Sequence, residues 1–292
     1  QKIKNDMKFI YLFIIITVLT SCISDSKQTK EGTLQNKKPK TKIRESPELQ
    51  SIIDSAGLNG SILIYNSLDN IYYSNDFIWA DKGKLPASTF KIANSIIALE
   101  TGIIESDTSL IKWDGEKRSW NIWEKDMDFK EAFQLSCVPC YQDIAREIGS
   151  KKMNEYLSKL DYGNMEVNDD NIDLFWLEGS SKISQYQQIN FLKRLYKSEL
   201  PISKQTEETI KRMLIIGDNA EYRLSAKTGW SIRNGNNNGW FVGYLEIGNN
   251  VFYFATNIDP QEEFNMDMFS FIRKEITLKA FTKLGIIKTL IN

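Results

Sequence analysis

The 292-residue chain contains no histidine. That absence removes the Ser-His-Asp triad, the Cys-His dyad and any catalytic zinc site built on imidazole. Nucleophilic chemistry, if present, must take its base from lysine, a carboxylate, tyrosine or a modified side chain. Charge of one sign is missing too: 37 Lys and Arg stand against 38 Asp and Glu, a net charge of −1. Nucleic acid and a polybasic membrane surface therefore have no electrostatic basis as partners. Long apolar runs are absent as well. The segment Phe9 to Thr20 is about a dozen residues, short of the roughly 20 that span a bilayer. Cysteine is scarce, at three.

What is present begins with a short basic segment at Met7-Lys8, the apolar run, and then Leu19-Thr20-Ser21-Cys22. That order is the order of a secretory signal, and small residues before a cysteine resemble a bacterial lipobox. Residues 1–6 precede Met7. The expectation is a lipoprotein signal peptide over 1–22, with Cys22 lipidated, and export to the periplasmic or cell-surface side. The lipid would be the sole membrane contact. Residues 23–46 are rich in Lys, Ser, Thr and Gln and bury too little to offset their ordering entropy, which predicts a flexible tether. The body is then 47–292, long enough for a substantial core.

Within the body, Leu49, Ile52 and Ile53 predict a helix over Pro47 to Ala56, ended by Gly57. Ser61–Tyr65 and Ile71–Tyr73 read as strands joined by a turn at Ser67–Asn70. From Asp107 to about Leu214 the pattern is mostly helical, with Pro139 at a helix start and a capping box at Ser184-Gln185-Tyr186-Gln187. Strands return at Tyr222–Ala226, Trp240–Ile247 and Val251–Ile258, the second apolar on both faces and so central. A helix over about Met266–Leu284 closes the chain. Strands at both ends with helices between predict one sheet and an inserted helical part.

The chain's chemistry centres on Pro86-Ala87-Ser88-Thr89-Phe90-Lys91. On a helix, Ser88 and Lys91 share one face about a turn apart, so an amine reaches a hydroxyl. The run Ile92–Leu99 behind them is apolar on nearly every side, the mark of a buried helix, and Thr101-Gly102 is its stop. Without histidine, a serine beside a lysine gains weight as a nucleophile with its base. Lys227-Thr228-Gly229-Trp230, at the end of a predicted strand, offers a cation, a hydroxyl and an unencumbered backbone to an extended anionic substrate. Ser136-Cys137-Val138 precedes a helix start and supplies a second hydroxyl. Cys137-Val138-Pro139-Cys140 leaves two options, a local disulfide or two free thiols, because too few Cys and His remain for zinc.

In this order the segments resemble the class D serine β-lactamases. Ser88-Thr89-Phe90-Lys91, Ser136-Cys137-Val138, Tyr162-Gly163-Asn164, Trp176-Leu177-Glu178-Gly179 and Lys227-Thr228-Gly229 each match a family motif. Pro86-Ala87, Trp113-Asp114-Gly115 and Arg273 fit as well, and the resemblance covers about 58–287. It implies an α+β fold: a five-stranded antiparallel sheet flanked by helices, with an inserted helical subdomain. It implies that Ser88 attacks the β-lactam carbonyl and that Lys91 is its base after carbamylation by carbon dioxide. Val138 would wall the lysine pocket and Trp176 would donate to the carbamate. Ser136 would relay a proton to the leaving nitrogen, and the backbone N–H groups of Ser88 and Trp230 would form the oxyanion hole. Lys227, Thr228 and Arg273 would hold the substrate carboxylate, with Tyr162 and Asn164 in support. No metal or organic cofactor is implied, only carbon dioxide or bicarbonate. The expected partner is a penicillin or oxacillin-type antibiotic, and the expected assembly a monomer or homodimer. Substrate range would depend on the loops near Trp120–Met127 and Ser231–Gly239. The cysteine pair departs from the pattern, and a bond there would stiffen the loop holding Ser136 and Val138. The competing functions are a β-lactam sensor and a penicillin-binding transpeptidase, which are acylated without turnover. Against the sensor stand one short apolar run and no histidine for a zinc-protease segment.

Overall fold

The structure, a computed structural model, describes residues 41–288. The expected signal peptide, Cys22 and residues 23–40 of the expected tether lie outside the described residues. Strand β1 (Lys42–Glu45) leads into helix α1 (Pro47–Ser55), which starts on its proline and buries Leu49 and Ile53. β2 (Leu58–Asn66) and β3 (Ile71–Ser74) form the expected hairpin. Its turn is held by the Asn66 carboxamide oxygen, which accepts from the Leu68 and Asp69 N–H groups. A short α2 (Phe77–Asp81), capped by Asp76, follows. A 3₁₀ turn over Ala87–Phe90 then opens α3 (Lys91–Glu100).

The middle of the chain is less helical than its composition predicts. β4 (Leu110–Ile111) and β5 (Met127–Asp128) make a small separate ladder before α4 (Phe129–Gln134). α5 (Val138–Leu160) begins beside Pro139 and breaks at Gly149, whose φ of +75° and ψ of 156° are not helical. Residues 161–183 carry neither helix nor strand. They are pinned by paired backbone bonds between Asn164 and Lys182 and between Lys84 and Ile183. α6 (Gln185–Tyr196) opens on the expected capping box, with both reciprocal bonds formed between Ser184 and Gln187. α7 (Lys204–Leu214) runs straight into β6 (Ile215–Asp218).

The last third supplies the long strands β7 (Arg223–Arg233), β8 (Asn236–Ile247) and β9 (Asn250–Pro260), then α8 (Phe269–Lys283). Gly248 at φ +54° makes the β8–β9 turn. The sheet order is β1-β3-β2-β9-β8-β7-β6. It corrects the expectation of five antiparallel strands. Those five are β3, β2, β9, β8 and β7, and they do pair antiparallel. One short strand is added at each edge, and β1 runs parallel to β3. The tether expectation is corrected at its end for the same reason, since Lys42–Glu45 is this edge strand. All four of its side chains are exposed, so no apolar pattern marks it; backbone bonds to β3 hold it.

Alternation along the strands splits the core in two. Leu63, Tyr65, Trp240, Val242 and Tyr253 face the larger helical side with α3, α5 and α6. Ile62, Ile64, Phe241, Leu245 and Phe254 face α1 and α8. β8 is covered on both faces and lies inside the sheet, as expected from its apolar run.

Candidate active site

Ser88 sits in the 3₁₀ turn, 6 % exposed, and Lys91 opens α3 fully buried. The Lys91 Nζ donates to Ser88 Oγ at 3.1 Å. Sequence spacing alone predicts an α-helix here; the first turn is instead a tighter 3₁₀ turn, which brings the i and i+3 side chains into line. Burial pushes the Lys91 pKa down to about 7, because no solvent remains to stabilise an ammonium. The neutral amine is therefore well populated near neutrality.

The turn is buttressed from several distant segments. Ala87, before the serine, holds φ +50°, and its N–H donates to the Trp176 carbonyl at 2.8 Å. Trp240 Nε1 and Asn238 Nδ2 from β8 both donate to the Leu85 carbonyl, at 2.8 and 2.9 Å. Thr89 Oγ1 donates to the Pro86 carbonyl at 2.6 Å and accepts from Gln188 Nε2 on α6 at 2.8 Å. Positive φ at a non-glycine residue persists only where surroundings over-determine it, and here they do. On the far side of Lys91, the Tyr141 ring centroid lies 5.0 Å from Nζ, and its hydroxyl is 2.7 Å from Ser95 Oγ.

Lys227-Thr228-Gly229-Trp230 lies in the middle of β7, which continues to Arg233, rather than at the strand's end. β6 pairs only as far as Ser225, so the outer edge of this stretch is open, as an edge strand's would be. Its inner neighbour is β8, with Gly229 opposite Trp240, and the serine turn packs against the strand at Gly229. A Cβ on Gly229 would meet Thr89 Cγ2 at 3.1 Å and the Thr89 nitrogen and Pro86 oxygen at 3.2 Å. Any side chain here would press the strand and the turn apart by a few tenths of an ångström. Lys227 Nζ donates to Ser136 Oγ and, at 3.1 Å, to the Thr228 carbonyl. Arg273 reaches from α8, where Nη1 donates to the Gly229 carbonyl and Nε to Phe269 O at 3.0 Å. Its Cζ lies 5.7 Å from the Trp230 ring centroid.

Lys91, Lys227 and Arg273 form a buried cluster of basic groups, and no described carboxylate pairs with any of them. Burial pushes Lys227 well below its usual pKa, with further lowering by Lys91 and Arg273. Burial also brings Arg273 down to about 10. Such a cluster calls for an anionic ligand to complete it.

The other expected residues divide. Trp176 is fully buried, stacked on Phe90 at 5.2 Å, and its Nε1–H has no partner among the described residues. A donor-only group in a dry site favours an acceptor beside it. Val138 is half-buried at the first position of α5. The Tyr162 hydroxyl faces Thr89 and Gln188, and burial raises its pKa. Asn164 is exposed, and its structural contribution is its backbone pairing with Lys182. A Cβ on Gly163 (φ +60°) would meet the Lys182 oxygen at 2.7 Å, so this motif works as a tight turn. Cys137 and Cys140 are disulfide-bonded, which settles the choice the sequence left open. The loop near Trp120 is tied to the Ser136 loop by Trp123 Nε1 donating to the Leu135 carbonyl at 3.1 Å. The β7–β8 turn is tied to residue 179 by Arg233, which donates to the Gly179 carbonyl. Tyr141, Gln188, Asn238 and Trp240 were not legible as site residues, because each acts through contacts between segments distant in sequence.

Comparison with known proteins agrees with this geometry. The sequence matches the penicillin-binding protein transpeptidase domain family over residues 58–281. It is 37 % identical over 217 residues to β-lactamase OXA-48 of Klebsiella pneumoniae, covering 74 % of this chain and 82 % of that one. It is 37 % identical over 248 residues to β-lactamase OXA-10 of Pseudomonas aeruginosa, covering 84 % and 91 %. Among solved structures, the class D β-lactamase YbXI from Nostoc superposes with a TM-score of 0.78 at 41 % identity, covering 82 % of this chain and 99 % of that one. The class D β-lactamase from Sebaldella termitidis gives a TM-score of 0.79 at 37 % identity, covering 85 % and 100 %. With a lysine-paired serine, an open strand edge beside it and this kinship over most of its length, the chain belongs to the class D β-lactamases.

Proposed function

We propose that the protein hydrolyses the amide bond of β-lactam antibiotics through an acyl-enzyme on Ser88, and so gives resistance to them. The observation that carries this reading is the fully buried Lys91 amine, 3.1 Å from Ser88 Oγ and with a pKa near 7. A neutral amine at that distance is the form open to carbon dioxide, and it places the resulting base within reach of the proton that Ser88 Oγ would lose on bonding to the β-lactam carbonyl carbon. The backbone N–H groups of Ser88 and Trp230 donate to the oxyanion that forms. As the carbon–nitrogen bond breaks, Ser136 passes a proton to the leaving nitrogen, and Lys227, hydrogen-bonded to Ser136, favours that transfer. Lys227, Thr228 and Arg273 hold the substrate carboxylate, which completes the cluster of basic groups. Tyr162 supports the Ser88 turn by packing its ring on Phe90, centroids 5.9 Å apart, and Asn164 through the turn it closes on Lys182.

A neutral, desolvated lysine reacts with carbon dioxide, and the orphaned Trp176 Nε1–H is a donor suited to the product. A carbamate on Lys91, when bound, supplies a carboxylate-like base for the Ser88 proton and for the water that frees the acyl group. The Tyr141 ring lines this pocket, and Val138, at the first position of α5, would add to its apolar wall. The Cys137–Cys140 disulfide supports an oxidising, extracytoplasmic location, consistent with export and lipidation at Cys22.

The test is intact-protein mass measurement after one equivalent of a penicillin, alongside product assay. Full release of hydrolysed product with recovery of unmodified protein is expected, and Ser88→Ala leaves the antibiotic intact. A stable adduct without release would make the protein a sensor or transpeptidase instead.

A further inference from the structure

Ser136 stands in the short junction of Leu135, Ser136 and Cys137 between α4 and α5. α4 ends in a paired-bond closure: the Ser136 N–H donates to Phe133 O at 3.1 Å and the Cys137 N–H to Ala132 O at 2.9 Å. In that closure the residue at position 136 takes the left-handed conformation, and glycine is its usual occupant. Here it is a serine at φ +54°, with its hydroxyl on Lys227. α5 begins at once, with Cys137 as its cap: Cys137 Sγ accepts from the Cys140 N–H at 3.3 Å. The same two residues are covalently joined through their sulfurs. Cys137 thus closes α4, caps α5 and anchors the bond across the first turn of α5.

A cysteine pair of this spacing at a helix start also suits thiol–disulfide exchange, but exchange needs an accessible sulfur. Cys137 is 1 % exposed and Cys140 is 8 % exposed. Burial favours a fixed link over a redox shuttle.

We propose that the Cys137–Cys140 disulfide is a positioning element for catalysis: it holds the first turn of α5 so that Ser136 keeps its left-handed conformation and its hydroxyl stays on Lys227. The bond makes no contact with the reacting atoms; it acts through Ser136. The inference rests on the role given to Ser136 above.

The experiment is a double-mutant cycle on the single-turnover acylation rate constant for a penicillin. It uses the wild type, Cys137→Ala/Cys140→Ala, Ser136→Ala and the triple variant. Ser136→Ala alone is expected to slow acylation by about 100-fold. Removing the cysteine pair is expected to slow it by about tenfold while leaving substrate binding unchanged. In the Ser136→Ala background the same removal is expected to change the rate by less than about twofold. An equal loss in both backgrounds, or no loss in the first, overturns the proposal while leaving the role of Ser136 standing. Undiminished acylation in Ser136→Ala overturns that role and the proposal with it. If the alanine pair does not fold, Cys137→Ser/Cys140→Val, which keeps a capping oxygen, is measured with the same outcomes.

Discussion

Ser136 occupies a backbone conformation that suits glycine, and its side chain is directed at Lys227. Stability and chemistry therefore pull apart at this position. Ser136→Gly is expected to raise stability by about 1 kcal/mol, by relieving the left-handed conformation of an L residue. Chemical denaturation measures that gain, while acylation falls with the loss of the hydroxyl. Lys91 shows the same opposition on a larger scale. Its ammonium form is buried without a carboxylate, so Lys91→Met is expected to stabilise the fold by about 2 kcal/mol or more near pH 7 while abolishing turnover. The folded pKa is near 7 and the ordinary value is 10.5, so between them the unfolded chain binds more protons. The penalty of wild-type Lys91 is therefore full below about pH 7 and fades as the pH rises to 10.5. Denaturation midpoints across that range should converge for the two proteins at the alkaline end. Wild-type turnover in a pH series should fall as the pH drops through about 7, where the amine becomes protonated.

At the scale of elements, the approach of β7 to the 3₁₀ turn decides whether the oxyanion donors and the nucleophile share one site. Gly229 sets that approach, with Pro86 and Thr89 backbone atoms 3.2 Å from where a Cβ would stand. Gly229→Val is expected to lower kcat/KM by about 100-fold through displacement of the strand, with a much smaller change in the unfolding midpoint. Steady-state kinetics and thermal unfolding of the same preparation check it. The long interior strands and the buried α3 were legible from alternation and from apolar runs bounded by turns. β1, β6 and α2 were not: β1 is wholly exposed, β6 is four residues directly following a helix, and α2 is five residues long. Their backbone pairing and caps, not a side-chain period, hold them. The extent of β7 was also missed, because its second half passes through Lys227, Thr228 and Gly229, residues that locally resemble a turn.

On the scale of the whole molecule, β7 and α8 bring Lys227 and Arg273 to the 3₁₀ turn of Ser88 and the start of α3 at Lys91. Most of the reacting groups were legible as short motifs in order, since each is fixed by a local turn or helix start. The buttresses were not. Trp240 acts on Leu85 from 155 positions away and Gln188 on Thr89 from 99, and no local pattern encodes such contacts. The assembled site holds a dry lysine and an indole N–H with no partner among the described residues, and the buried Trp176 segment bonds through its backbone to Ala87, next to the nucleophile. We propose that Lys91 works as a neutral, carbon-dioxide-reactive group within a hydrolytic cycle. The direct test follows acylation and deacylation of a penicillin separately, in carbon-dioxide-depleted buffer and after adding bicarbonate, for the wild type and Trp176→Ala. Bicarbonate is expected to raise wild-type turnover, and Trp176→Ala is expected to lose this response and to slow deacylation more than acylation. Turnover indifferent to bicarbonate, or equal slowing of both steps in the variant, would contradict it.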